Sequence, residues 1–85
     1  MTRYWPQGLA IEIWGDDDAP LGFFWQGTPR HIVEVCNCWR MHTRWWEPEK
    51  AVWREYWKVA TDDGLLCLLF YDRLRDRWRL TRIYD

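Results

Sequence analysis

Apolar and polar residues alternate with a period of two along most of this chain, the pattern that a half-buried β-strand imposes. "LAIEIW" (9–14) reads as a strand ended by "GDDDAP", a run of turn-forming residues. "LGFFWQ" (21–26) is followed by the turn "GTPR", and "HIVEVCNCW" (31–39) keeps Val33, Val35, Asn37 and Trp39 on one parity. Ile32, Val35 and Trp39 would also suit a helix, but the β-branched start favours strand. Residues 53–61, 65–71 ("LLCLLFY") and 77–84 ("RWRLTRIY") are three further strands. Ahead of them, 42–52 is expected to be a long loop with room for one helical turn. The alternative there is a helix with Pro48 at its first position, carrying Glu49, Val52, Trp53, Tyr56 and Trp57 as a stripe.

Asp63-Gly64 ahead of an apolar run is a strong hairpin signal. A two-residue turn there makes Trp57 oppose Phe70 and Val59 oppose Leu68, and "DRLRD" as a five-residue loop sets Phe70 against Trp78 and Leu68 against Leu80. One face then holds Trp57, Val59, Leu66, Leu68, Phe70, Trp78 and Leu80 as the core. The opposite face holds Arg54, Tyr56, Lys58, Leu69, Tyr71, Arg77 and Arg79. A one-residue slip would exchange the faces. The fold expected is all-β: a six-stranded antiparallel meander curled into a small SH3-like or half-open barrel, which removes exposed edges.

The 85 residues make one domain, 1–85. A chain this short buries only ~60–65% of its unfolded surface, so nine Trp, four Tyr and three Phe are expected mostly as core. A formal charge of −1 argues against a general polyanion binder, although 73–82 carries five Arg against Asp76. No apolar signal-peptide segment and no run long enough for a membrane span occur, and Cys36, Cys38 and Cys67 are an odd count. Together these point to a cytoplasmic protein with free thiols.

Little supports catalysis. The chain has no Ser, and Cys36 and Cys38 share a strand parity in an apolar setting, where thiols are usually inert. A zinc site from Cys36, Cys38 and His42 has the wrong spacing and lacks a second ligand pair. Asp16-Asp17-Asp18 lacks the Gly and distal Glu of a calcium loop and reads as a solvated turn. No phosphate-binding Gly-rich motif occurs, and no pair of carboxylates stands out among Glu34, Glu47, Glu49 and Glu55. The expectation is a non-enzymatic binding module with no cofactor and no metal.

Two kinds of partner fit such a module. Trp45 and Trp46 fall in the long loop, and Trp is an interface hot-spot residue; in extended backbone one ring would cap the core and the other would meet a protein partner. The alternative is single-stranded nucleic acid on Arg54, Tyr56, Lys58, Tyr71, Arg77 and Arg79, with bases stacking on rings and cations tracking phosphates. Leu69 and Tyr71 on that face could also pair with a second copy, giving a homodimer.

The series Trp25-Gln26-Gly27, Ile32-x-x-Val35-x-x-x-Trp39, Trp45-Trp46, Tyr56-Trp57-Lys58-Val59 and Trp78-x-Leu80-x-Arg82-x-x-Asp85 resembles a family of small Trp-rich bacterial domains of unknown function. Such domains are often encoded beside Y-family error-prone DNA polymerases or their accessory proteins. The resemblance therefore implies a role around translesion DNA synthesis or repair, with a polymerase component as the partner. It supplies no catalytic residues. Cys36 and Cys38 depart from the family's pattern.

Overall fold

The computed structural model describes residues 2–15, 19–44, 46, 47 and 49–84. Among the described residues seven strands form one antiparallel sheet: β1 (Arg3–Ala10), β2 (Ile13–Gly15), β3 (Pro20–Trp25), β4 (Thr28–Thr43), β5 (Val52–Thr61), β6 (Leu66–Asp72) and β7 (Arg77–Tyr84). The sheet order is β1-β7-β6-β5-β4-β3-β2. β3 to β7 follow the expected meander, but the expected strand 9–14 is divided: Leu9 and Ala10 end β1, a seventh strand laid against β7, and Ile13 and Trp14 begin β2. Pro6 and Gly8 hid β1 in the sequence, because both are poor strand residues. Their effect is visible as a wide irregularity: Tyr4 pairs with Arg82 and Leu9 with Leu80.

β1 and β2 are successive in the chain yet lie on opposite edges of the sheet, only two residues apart. The sheet must therefore curl until those edges meet. The Ile11 amide donates to the Trp78 carbonyl (3.4 Å) and the Phe24 amide to the Glu12 carbonyl (2.9 Å), fastening the linker to both sides. Trp5 of β1 meets Trp25 of β3 edge-on at 5.3 Å across the gap. The result is a half-open barrel. Its concave core is Phe23, Trp25, Val59, Cys67, Leu69, Leu80 and Ile83, with Trp5, Leu9, Ile11, Ile13, Ile32, Trp57, Leu65 and Trp78 packed around it.

Tight turns set the register. Trp25 pairs with Thr28, so the β3–β4 turn is Gln26-Gly27, both at positive φ (51° and 77°), the twist that suits a two-residue hairpin. Between β5 and β6 the loop has three residues instead of two. The Thr61 amide donates to the Leu65 carbonyl (2.9 Å), and Gly64 at φ 86° supplies the left-handed residue. Val59 therefore pairs with Cys67 and Trp57 with Leu69. The one-residue slip reverses the expected faces of β6. Cys67 and Leu69 point into the core, whereas Leu66 and Leu68 are half-buried on the convex side. Phe70 is buried, but under a convex-face cover.

β6 and β7 close on a four-residue loop, with Asp72 opposite Arg77. Asp72 stabilises it by accepting from the Leu74 and Arg75 amides (3.1 and 3.2 Å). A bulge between Leu68 and Leu69 leaves Thr81 as the extra residue of β7. Its hydroxyl donates to the Trp5 carbonyl at 2.8 Å. Leu80 and Ile83 thereby both face inward, and Arg82 and Tyr84 face out.

β4 runs well past β3. Its first residues pair with β3, while 32–43 pair only with β5. Irregularities at Val33 and Cys36 break the parity expected from alternation: Val35 pairs with Val59 on the concave side, while Asn37 and Trp39 pair with Lys58 and Tyr56 on the convex side. Only at the far end, where His42 and Thr43 pair with Trp53 and Val52 past the last β6 partner of β5, do the two strands form a short projecting ribbon. The expected loop over 42–52 shortens to 44–51, where the Glu47 amide donates to the Arg44 carbonyl at 2.9 Å and Lys50 to Glu47 at 2.8 Å. Trp45, Pro48 and the Asp16-Asp17-Asp18 run lie outside the described residues.

Candidate functional site

Strand alternation brings Arg54, Tyr56 and Lys58 of β5 to the convex face, as expected. Across the ladder they meet Met41, Trp39 and Asn37 of β4 on one side and Asp72, Phe70 and Leu68 of β6 on the other. Trp39 stacks on Tyr56 almost parallel, 5.3 Å between centroids and 7° between planes. Tyr56 leans on Phe70 at 5.4 Å. The Arg54 guanidinium lies 4.4 Å above the Phe70 ring and donates to the Tyr56 hydroxyl at 3.1 Å. The Lys58 ammonium sits 5.2 Å over Tyr84, and Arg82 lies between Tyr4 (4.6 Å) and Tyr84 (5.5 Å). Each cation is held by a ring face through its quadrupole.

Charge pairing differs between regions. The Arg30–Asp63, Arg73–Glu55, Arg75–Asp72, Arg40–Glu55 and Lys50–Glu47 pairs use up nearby carboxylates. Arg54, Lys58, Arg79 and Arg82 form no ion pair with a described carboxylate. Those four cations all lie on the convex face.

The sequence-derived nucleic-acid set is thus divided. Arg54, Tyr56, Lys58 and Arg79 come together, and Arg77 lies exposed at the start of β7. Tyr71 does not join them: the β5–β6 slip turns it to the concave side, where it packs on Trp78 at 5.3 Å. Its hydroxyl donates to Asp76, and that bond, with burial and the Asp76 charge, raises its pKa from 10.0. Leu69 is likewise a core residue, fully enclosed, so it is not on the surface where it was expected beside Tyr71 to meet a second copy. Tyr4, Trp39, Arg82 and Tyr84 were missed. Trp39 could have been found from a β4–β5 register, whereas Arg82 and Tyr84 face out only because of the Thr81 bulge.

The thiols also differ from expectation. Cys36 and Cys38 are exposed, not packed in an apolar layer, and the irregularity at Cys36 separates them in parity. The Cys38 thiol is raised above 9.0 by partial burial and by Glu55, against an opposing effect of Arg40. Cys67 is fully buried, and that burial pushes its pKa up to about 11. His42 stacks flat on Trp53 at 4.8 Å. Among the described residues, no three His, Cys, Asp or Glu side chains gather where a metal ion could be held.

The second candidate surface is the free side of β4. All of 33–44 is exposed, and among the described residues no strand pairs with 32–43 opposite β5. Val33 (65% exposed), Val35, Trp39 and Met41 lie along it. Trp46, 63% exposed, follows at the end of the ribbon. An uncovered edge offers a row of N–H and C=O groups to any strand that approaches.

Residues 10–85 match the family described as a domain of unknown function, DUF6504. The chain belongs to that family. No curated protein and no solved structure matches it. The convex cations and the β4 edge both lie within the part of the chain that DUF6504 covers.

Proposed function

We propose that this DUF6504 domain is a non-enzymatic docking module that takes an extended segment of a partner protein as an added strand along β4. One observation carries the reading: among the described residues no strand pairs with the side of 32–43 that faces away from β5, and exposed apolar side chains lie along it. Native sheets ordinarily shorten, charge or cover such edges. Strand addition gains main-chain hydrogen bonds along the edge and specificity from alternate side chains.

The chemistry of the occupant follows from residues 37–43, the stretch of β4 without register breaks. Trp39 and Met41 present apolar surface on the convex side. Arg40, whose side chain is 77% exposed, lies on the other side, 3.6 Å from Glu55. The segment that fits has alternating apolar residues and a carboxylate facing Arg40. A second copy fits poorly, since centring 37–43 on itself sets Arg40 against Arg40, and like charges directly opposite destabilise a sheet. The family resemblance makes a component of an error-prone DNA polymerase the first partner to test, in translesion synthesis or repair.

The test is capture of that component from the native host with nuclease present, followed by amide exchange on the complex. New protection at 37–43 supports the proposal. Capture that nuclease abolishes, or a complex that leaves those amides unprotected, overturns it. A second reading, direct contact with single-stranded nucleic acid, is favoured by the four convex-face cations set among rings, which form no ion pair with a described carboxylate. Steep weakening with salt would mark that contact.

A further inference from the structure

A cavity of about 450 Å³ opens at the convex face where β5 begins, within the size range of small-ligand sites. Lys50, Arg54, Arg75 and Arg79 line it beside Phe70, against the carboxylates of Glu49 and Asp72. Two of the cations are already committed: Arg75 bonds Asp72 at 3.1 Å, and Lys50 pairs with Glu47 at 3.7 Å. Arg54 and Arg79 have no described carboxylate partner. Both are held in place from behind. Arg54 rests on the Phe70 ring, and Arg79 donates to the Gly8 carbonyl at 3.2 Å.

Gly8 is part of this construction. It sits at φ 79°, and a Cβ there would fall 2.7 Å from the Arg79 Cβ and 2.9 Å from the Phe70 ring. Only a glycine lets the β1 backbone close against Arg79 and fix its guanidinium at the cavity wall. A fixed fork of N–H donors is the geometry that recognises a phosphate bidentately.

We propose that this cavity is a site for the terminal phosphate of a nucleic-acid single strand, which rests on the second reading above and deepens it. Two guanidiniums that form no ion pair with a described carboxylate match a phosphomonoester, which carries roughly −1.5 to −2 at neutral pH, better than they match the single charge of an internal diester. Tyr56, the next convex-face residue of β5 after Arg54, is stacked on Trp39 and would offer its ring platform to the terminal base. Such a ring platform is how single strands are held without sequence readout.

The probe is short oligothymidine in three forms, 5′-phosphorylated, 3′-phosphorylated and unphosphorylated, with inorganic phosphate as competitor, read by fluorescence anisotropy. One phosphorylated end should bind roughly tenfold tighter than the unphosphorylated strand, the scale of one charge-assisted contact. Arg79→Gln should erase that preference while the unphosphorylated strand still binds. Amide shifts in the unaltered protein should move at Gly8, Arg54 and Arg79 with the phosphorylated strand, a readout that needs no variant. Equal binding of all three strands overturns the terminal-phosphate site but leaves the nucleic-acid reading intact. Binding of none overturns both. Displacement by inorganic phosphate at the concentration of strand that saturates the site overturns the assignment to a strand end.

Discussion

Leu68 and Leu69 are adjacent, chemically identical, and placed by the β5–β6 loop on opposite faces of the sheet. Leu69 is wholly removed from solvent among Val59, Cys67 and Leu80, whereas Leu68 is only half-buried on the convex side. Truncating a fully enclosed leucine to alanine costs its transfer energy plus a cavity term, about 3–5 kcal/mol in well-packed cores. For Leu68 the cavity term is small, because solvent fills the gap, and about 1 kcal/mol is expected. A domain of this size holds about 4–13 kcal/mol in total. Leu69→Ala should therefore lower Tm by well over 10 °C, at about 4–8 °C per kcal/mol, and Leu68→Ala by several degrees at most. Urea and thermal unfolding followed by circular dichroism measure both. If Leu68→Ala proves as costly as Leu69→Ala, or costlier, the three-residue loop and the register built on it are wrong.

Gly8→Ala should cost clearly more than Gly27→Ala in the same unfolding assay. Both glycines have positive φ, worth about 1–2 kcal/mol for an L-residue, but only at Gly8 does the added carbon strike neighbours, since nothing lies within 4 Å at Gly27. Equal losses would mean that β1 does not close against Arg79 and Phe70. The Cys67 thiol gives a pH dependence. Its folded pKa lies above the ordinary value, so its contribution is complete below pH 9.0 and is lost as pH climbs to about 11. The full loss is on the order of 2–3 kcal/mol, and Cys67→Ala should flatten that alkaline decline when stability is followed by urea titration. Trp46→Ala should leave Tm nearly unchanged, given the ring's exposure; a large fall would make it a core residue.

What the sequence disclosed and what it hid can be traced to particular residues. Alternation alone places Trp57 and Val59 inward and Arg54, Tyr56 and Lys58 outward, because β5 is regular throughout its length. Alternation fails wherever an extra residue enters a ladder. Gly64 as the third loop residue turns β6 over, and Thr81 turns the end of β7, which brings Arg82 and Tyr84 to the face the sequence left without them. The same holds in β4, where Val33 and Cys36 interrupt a run that reads as one clean strand. Such insertions depend on the partner strand, and a single chain read in order does not carry that information. β1 was hidden for another reason: Pro6 and Gly8 oppose strand structure locally, and the Thr81–Trp5 hydrogen bond and Leu9 burial that stabilise it come from residues more than sixty positions away.

The free edge of β4 is the feature on which the docking proposal stands, and residue-resolved amide exchange of the isolated protein tests it most directly. Across 37–43, amides bonded to β5 should be protected while the alternate amides, directed away from it, exchange at nearly the rate of an open chain. Protection of every amide through that stretch in the isolated protein would contradict it, because the edge would then already be covered.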